Sequence, residues 1–464
     1  MVVRIMVFDK IKSFVIQKRL AQLRKKVSII SPSELAQLIP KLTWEKIRKV
    51  QKYNLMKTLE HAAEHSPFYR GKLSPLTNNL SLSTAFSSFK SIQWFTTPEA
   101  VSQKPEQFLA IPPSEVTAIH FSAGTTGDNK KIYLSKEDLG KIPVNYSLGF
   151  LNCGLTTQDV AQIMYSYGIW QLGSLYEEAL RRLGILCLPV GNHVNFQKQE
   201  SFIEEFGTSI ITGTPSYVYN LAREIDLSSE ARDRMKAILL GGERLSSKRR
   251  TIIESKLGGE VFMGYGLMEF GGGIASECKA HEGYHLFSNV LPEIVDLKTG
   301  NPVAEEEYGE LVLTTLDREA MPLIRYRTGD ITRFIEGDCE CGLALLRIDE
   351  IKGRVDDRIT IGTAEKYYPI VFDNLFDTIE EVTDYQLEVL RENGKDVLKL
   401  KVLTENPSKQ LSEKITSKIY EITSLQLDIE KTQTLKEPQI EFIDNIAWAE
   451  GKRKRVIDRR VETF

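Results

Sequence analysis

The sequence predicts a two-domain α/β protein, on three observations. From about Val116 to Asp349, short β-branched segments alternate with helical stretches, the pattern of an α/β layer with largely buried sheets. From about Tyr385 the pattern changes to two alternating strands around Asn393-Gly394, followed by an amphipathic helix. A chain of 464 residues also exceeds what one ordinary core organises. The expectation is a large N-terminal α/β domain over 1–352, with mixed sheets and a β subdomain, and a small C-terminal α+β domain over 353–464.

Each element has a local reason. Residues 1–30, within an N-terminal extension over 1–40, read as a basic amphipathic helix: Arg4, Lys10, Lys12, Lys18, Arg19, Arg24, Lys25 and Lys26 stand against Asp9. Such a face suits a membrane surface or a partner, and equally a solvated helix lying on the main domain. A second helix is expected from Thr43 to His65, with Ile47, Leu55, Leu59 and Ala62 as its apolar stripe and Pro67 as its stop. The polar tract Ser74–Ser91 reads as an irregular connection. Helices are expected from Phe202–Glu205 onward and over Ser246–Lys256, and Gly309–Thr315 alternates like a half-exposed antiparallel strand. Near the C-terminus, Tyr385, Leu387 and Val389 line one strand and Leu398, Leu400 and Val402 its return. Asn406-Pro407 is expected to cap a helix carrying Leu411, Ile415, Ile419 and Ile422. The domain boundary falls near Lys352–Asp357.

Composition excludes several function classes. A hydrophobic share of 42% and a charged share of 27% are those of a soluble globular protein. A net charge of −3 gives no nucleic-acid signature, and no apolar run approaches a bilayer span. Met1–Lys26 scatters its basic residues among apolar ones, unlike a cleavable signal. Five cysteines in so long a chain are no disulfide framework, so a reducing, cytoplasmic compartment is expected.

The chemistry begins at HFSAGTTGDNKK, His120 to Lys131. Backbone N–H groups at Gly124 and Gly127, hydroxyls of Ser122, Thr125 and Thr126, and the charge of Lys130 suit a polyphosphate. No Gly-Lys-Ser/Thr closes the loop, so it is not a P-loop, and taken alone it also reads as a plain turn. Three later segments complete the pattern: GYGLMEF (264–270), GELVLTTLDREAMPLIRYRTGDI (309–331) and GRVDDRITIG (353–362). In this order and at these separations they resemble the adenylate-forming superfamily of acyl-CoA ligases, luciferases and peptide-synthetase adenylation domains. HAAEHSPFYR (61–70), AIHFSAGTTG, ITGTPSYVYNLA (211–222), GGERLS (241–246), SECKAHEGYH (276–285) and GKRKRVIDRR (451–460) resemble its phenylacetate-CoA ligase branch, from about residue 45 to the end.

The resemblance implies roles. Ser122 to Lys130 would embrace the β- and γ-phosphates of ATP, with Asn129 where the family usually has proline. Gly242 and Glu243 of GGERLS, with Tyr265 and Gly266, belong to the nucleotide site, Tyr265 lying against adenine. Glu269 matches the carboxylate that coordinates Mg²⁺, a hard oxygen ligand. Met268 stands where the superfamily has a Thr or Ser that contacts the α-phosphate, and a thioether cannot donate a hydrogen bond. Asp330 matches the acid that accepts the ribose hydroxyls, Arg354 a second ribose contact, Asp356 the hinge, and Lys452 the catalytic lysine of a mobile C-terminal domain. On charge alone, Lys452 among Arg453, Lys454 and Arg455 would be a solvated basic tail. Domain rotation after adenylation would withdraw the lysine and open a thiol tunnel.

A second cluster is separate from the nucleotide. Cys278, His285, Cys339 and Cys341 together satisfy a tetrahedral structural zinc site, with His281 a spare ligand. The alternative is a set of reduced, unligated thiols. The same positions resemble a zinc site found in part of the branch. Cys153 and Cys187 stand alone among apolar residues and read as small core residues. Tyr165, Tyr167 and Trp170, in YSYGIWQLG, sit where the family builds its acyl pocket, and aromatic walls suit a flat acid as well as they suit a core.

The resulting expectation is ATP- and Mg²⁺-dependent activation of a small-molecule carboxylic acid, aryl or short acyl, as an acyl-adenylate with release of pyrophosphate. Transfer to coenzyme A follows. A carrier-protein phosphopantetheine or an amine acceptor is the alternative, and a non-catalytic nucleotide-binding protein is a third reading that Met268 favours. No nucleic-acid partner and no transmembrane segment are expected, and a homodimer is allowed.

Overall fold

The computed structural model describes residues 43–78, 80–122, 130–151, 153–168, 171–363, 365–446 and 455–460. The basic extension, Gly124, Thr125, Thr126, Gly127, Trp170 and Lys452 lie outside the described residues. The chain divides into two compact units. One comprises residues 1–245, 250–328 and 332–350, the other residues 246–249, 329–331 and 351–464.

The first unit is built on a nine-stranded sheet. Leu186–Leu188, Val160–Ile163, Ile210–Gly213, Ala237–Gly241 and Glu260–Leu267 lie side by side and run parallel. Helices Leu172–Arg182, Phe196–Glu205, Pro215–Glu224 and Ser247–Leu257 intervene along the chain. Ile210–Gly213 and Ala237–Gly241 are buried throughout, which is why they read as apolar runs with no alternation. At Glu260–Leu267 the sheet changes direction: Gly272–Ser276, Tyr284–Leu286, Arg347–Ile348 and Phe334–Ile335 continue it antiparallel. Val218, Leu221, Ile238, Leu240 and Val261 form the core between this sheet and its helices. A separate hairpin pairs Val116–Ser122 with Lys130–Ser135.

The second unit has its own core. Asp384–Glu392 and Lys395–Leu403 form a hairpin whose turn places Asn393 at φ 53° and Gly394 at φ 77°, the paired positive φ values of a type I′ turn. Gln439–Ile443 and Val456–Asp458 add parallel strands at the two edges. Leu387, Val389, Leu398, Leu400 and Val402 pack with Leu411, Ile415 and Ile419 of the helix Lys409–Tyr420.

Four local expectations need correction. The tract 74–91 is not irregular: the helix Pro67–Thr77 runs into it and Ala85–Lys90 forms another, burying Leu73, Ala85 and Phe89 while the serines face outward. Pro67 therefore starts a helix as well as ending one, which its missing N–H permits at a first helical position. The helix expected from Phe202–Glu205 onward ends there instead; it starts at Phe196, where Asn195 accepts from Lys198 N. Gly309–Thr315 is fully buried, because Glu310 pairs with Arg327, Thr314 accepts from Arg325 N and Thr315 from Leu323 N. The cap of Lys409–Tyr420 is Ser408, which accepts from Leu411 N, not Asn406-Pro407.

Candidate active site

The strand Glu260–Leu267 delivers the central carboxylate. After Leu267 the chain makes one 3₁₀ turn, Met268–Phe270, and reverses through Gly271 at φ 87° and Gly272 at φ 96°. A side chain at Gly272 would collide with the Tyr146 hydroxyl, so the reversal requires glycine for space as well as for φ. This turn buries Glu269.

Three donors converge on one oxygen of that carboxylate. Lys130 Nζ lies 2.8 Å from Glu269 Oε1, Tyr326 Oη 3.0 Å and Ser122 Oγ 3.3 Å. Ser122 and Lys130 face each other across the hairpin, so the glycine- and threonine-rich segment leaves from one donor and returns at the other. Burial pushes the Glu269 carboxyl up, but the Lys130 ammonium and the Tyr326 hydroxyl outweigh it and hold the group below its usual range. The sequence reading missed Tyr326, although alternation shows it: Tyr326, Thr328 and Asp330 occupy the buried face of one strand, and a buried phenol needs a partner.

The other nucleotide-site candidates lie on strands and in the turns that follow them. The pairing of Glu260–Leu267 with Gly272–Ser276 slips by one residue between Tyr265 and Gly266, the unpaired residue being Ile274. Such bulges re-aim side chains at sheet rims. Gly242 has φ 85°. Both Glu243 oxygens are engaged, accepting from Ser216 N and Ser216 Oγ at 3.0 Å each, which ties this loop to the start of the helix Pro215–Glu224. In the second unit, Asp330 and Arg354 sit opposite one another in an antiparallel pair, and Arg354 Nε donates to Asp330 Oδ1 at 3.0 Å. Asp356 lies in the short turn Val355–Asp357 that follows.

Of the aromatic candidates, Tyr165 is fully buried with its ring 4.6 Å from Tyr176, which also meets Tyr146 at 5.3 Å and Phe150 at 5.2 Å. Tyr167 is half-buried and donates to Glu177 at 3.0 Å. Tyr176, Tyr146 and Phe150 are themselves buried, and in sequence they read as core packing.

Cys278, His285, Cys339 and Cys341 come together, their ligand atoms all within 4.8 Å of one another. Cys278 Sγ is 3.6 Å from Cys339 Sγ, and Cys341 Sγ is 3.4 Å from His285 Nε2. Tetrahedral bonds of about 2.3 Å to sulfur and 2.0 Å to nitrogen require separations of about 3.5–3.8 Å, so the donor set fits zinc. Burial, with the Arg347 charge, pushes His285 down to about 4 and keeps its imidazole neutral, the form that binds metal. His281 is not a spare ligand: its ring nitrogens face Glu260 at 2.8 Å and Glu277 at 3.2 Å. Cys153 is buried in the core and Cys187 half-buried.

Among the described residues, no helix is long and apolar enough to cross a membrane. The AMP-binding enzyme family pattern matches residues 4–315, and its C-terminal domain pattern matches residues 364–460. The chain is 31% identical over 368 residues to a phenylacetate-coenzyme A ligase of Thermus thermophilus, covering 78% of this chain and 82% of that one. It is 29% identical over 431 residues to the phenylacetate-coenzyme A ligase of Escherichia coli, covering 90% and 95%. A crystal structure of 2-hydroxyisobutyryl-CoA ligase in the postadenylation state shares the fold with a TM-score of 0.74 at 20% identity, over 90% of each chain. A buried lysine–glutamate centre at the mouth of a glycine- and threonine-rich hairpin, on a chain matched along most of its length, is accounted for in one way: the chain belongs to the AMP-binding enzyme family and is an AMP-forming carboxylate ligase.

Proposed function

We propose that this enzyme activates an aryl carboxylic acid with ATP and passes the acyl group to the sulfur of coenzyme A. The observation that carries the reading is the buried Lys130–Glu269 pair, flanked by Ser122 and Tyr326 where the hairpin opens. Without nucleotide, these two charges satisfy each other. Bound ATP offers Lys130 phosphate oxygens instead, and Glu269 is then released to a hard cation. Glu269 would hold Mg²⁺, which would supply positive charge against the triphosphate. A carboxylate oxygen of the acid attacks the α-phosphorus, the bond to the bridging oxygen breaks, and pyrophosphate leaves with that electron pair. The coenzyme A thiol then loses its proton to solvent, its sulfur bonds to the acyl carbon, and AMP departs.

Asp330 takes the ribose hydroxyls, with Arg354 orienting its carboxylate. Lys452 bridges the reacting carboxylate and the α-phosphate, and Asp356 is the hinge. The preference for an aryl acid rests on the likeness to phenylacetate-coenzyme A ligases and on the aromatic cluster around Tyr165. Cys278, His285, Cys339 and Cys341 would hold a structural zinc ion; four protein ligands would leave no open position, so its part would be to brace the fold.

Acid-dependent exchange of labelled pyrophosphate into ATP, across aryl, fatty and amino acids, tests the first half-reaction. Aryl acids are expected to support the fastest exchange, and adding coenzyme A to yield the thioester. Absence of exchange with every acid sinks the activation reading; exchange without thioester sinks only the acceptor.

A further inference from the structure

Arg318 is 7% exposed, and its Nη1 has no hydrogen-bond partner among the described residues. His120 is 2% exposed, and its Nδ1 is likewise unpartnered. Burial, and secondarily the Arg318 charge, pushes His120 down to about 4, so its ring is a neutral donor close to that guanidinium. Charge withdrawn from water without a counter-charge is expensive, and folded proteins rarely keep it without use.

Both side chains are held in place beside the Glu269 centre. Lys141 Nζ donates to Asp317 O at 3.0 Å, and the Asp138 carboxylate accepts from Glu319 N at 2.8 Å and Ala320 N at 3.0 Å, so the backbone is fixed on either side of Arg318. A Cβ at Gly271, two residues beyond Glu269, would lie 2.9 Å from Arg318 Nη2. His120 shares the buried face of its strand with Ser122, whose hydroxyl reaches Glu269 at 3.3 Å.

We infer that Arg318 and His120 form an anion seat for the terminal phosphates of ATP, the portion that leaves as pyrophosphate. This rests on the function proposed above. A triphosphate carries more negative charge than Lys130 can offset, and a guanidinium presents the planar fork that pairs with two phosphate oxygens at once. The competing occupant of such a seat is the carboxylate of the acid substrate.

Calorimetric titration with ATP, AMP and pyrophosphate, each with Mg²⁺, separates these cases in the parent, Arg318→Met, Arg318→Lys and His120→Gln proteins. Arg318→Met is expected to weaken ATP and pyrophosphate by at least about tenfold while AMP stays within about twofold, with Arg318→Lys intermediate. His120→Gln shifts in the same direction by less. Without ligand, Arg318→Met is expected to melt no lower than the parent, because Arg318 Nη1 is buried with no hydrogen-bond partner among the described residues. An unchanged ratio of ATP to AMP affinity overturns the inference, as does a raised KM for the acid with ATP affinity intact. A lowered ligand-free melting temperature with all three ligands equally affected overturns it as well. A parent protein that binds neither nucleotide overturns the proposed function itself.

Discussion

The Lys130 ammonium stands 2.8 Å from the Glu269 carboxylate, and neither side chain is more than a tenth exposed. Removing one partner strands the other. Lys130→Met is expected to destabilise the protein by about 3–5 kcal/mol, the range for breaking a buried pair. A Lys130→Met/Glu269→Leu protein recovers most of that stability in urea melts yet shows no pyrophosphate exchange. Stability lost equally in both variants would mean that the pair is not coupled.

The same pair sets an acid limb. Glu269 is held below its ordinary value of 4.5, so its contribution is complete above that pH and disappears as the pH falls through the lower, folded value. Denaturant midpoints measured from pH 7 downward should fall less steeply in Glu269→Gln than in the parent. Parallel curves would contradict the assignment.

Met268 begins the turn that carries Glu269. If its thioether merely leaves a phosphate contact unmade, Met268→Thr retains exchange or raises it by up to about tenfold, within what one added donor contributes. Loss of exchange on gaining the hydroxyl would show that the methionine is needed for packing.

For the cysteine–histidine cluster, protein purified without added zinc should contain about one equivalent by elemental analysis, as one tetrahedral site requires. Cys339→Ser with Cys341→Ser should lose the metal and lower the melting temperature. Metal-free parent protein with an unchanged melting temperature would remove the site.

Arg455 is largely buried in the second unit, paired with Asp384 and with Asp373 at 3.3 Å. Burial lowers its pKa, but those carboxylates outweigh it and keep the group charged. Arg455→Met should cost about 3–5 kcal/mol in this unit. It should also impair exchange, because Lys452 is three residues upstream. Lys414→Ala, which breaks an exposed pair with Glu381, should leave both unchanged.

Much of this site was legible in sequence because its pieces are local. The Asn393-Gly394 turn and the stripe Leu411–Ile415–Ile419 follow from backbone conformation and helical period, which a few residues determine. Glu269, Ser122, Lys130 and the four zinc-ligand candidates carry chemistry that names them even when they are distant along the chain. What stayed hidden depends on partners elsewhere. Tyr326 is an ordinary aromatic until the fold sets it against Glu269, and Glu310 reads as exposed until Arg327 neutralises it. The serines of 74–91 mask Leu73, Ala85 and Phe89, whose burial packs those helices.

The change of direction at Glu260–Leu267 bears on how this protein could be re-engineered. Parallel strands are joined by long crossovers whose loops can absorb extra residues. Glu269 instead hangs on a reversal of a few residues between antiparallel neighbours, closed by Gly271 and Gly272. Length is therefore fixed there: one inserted residue would re-aim the turn that presents the carboxylate.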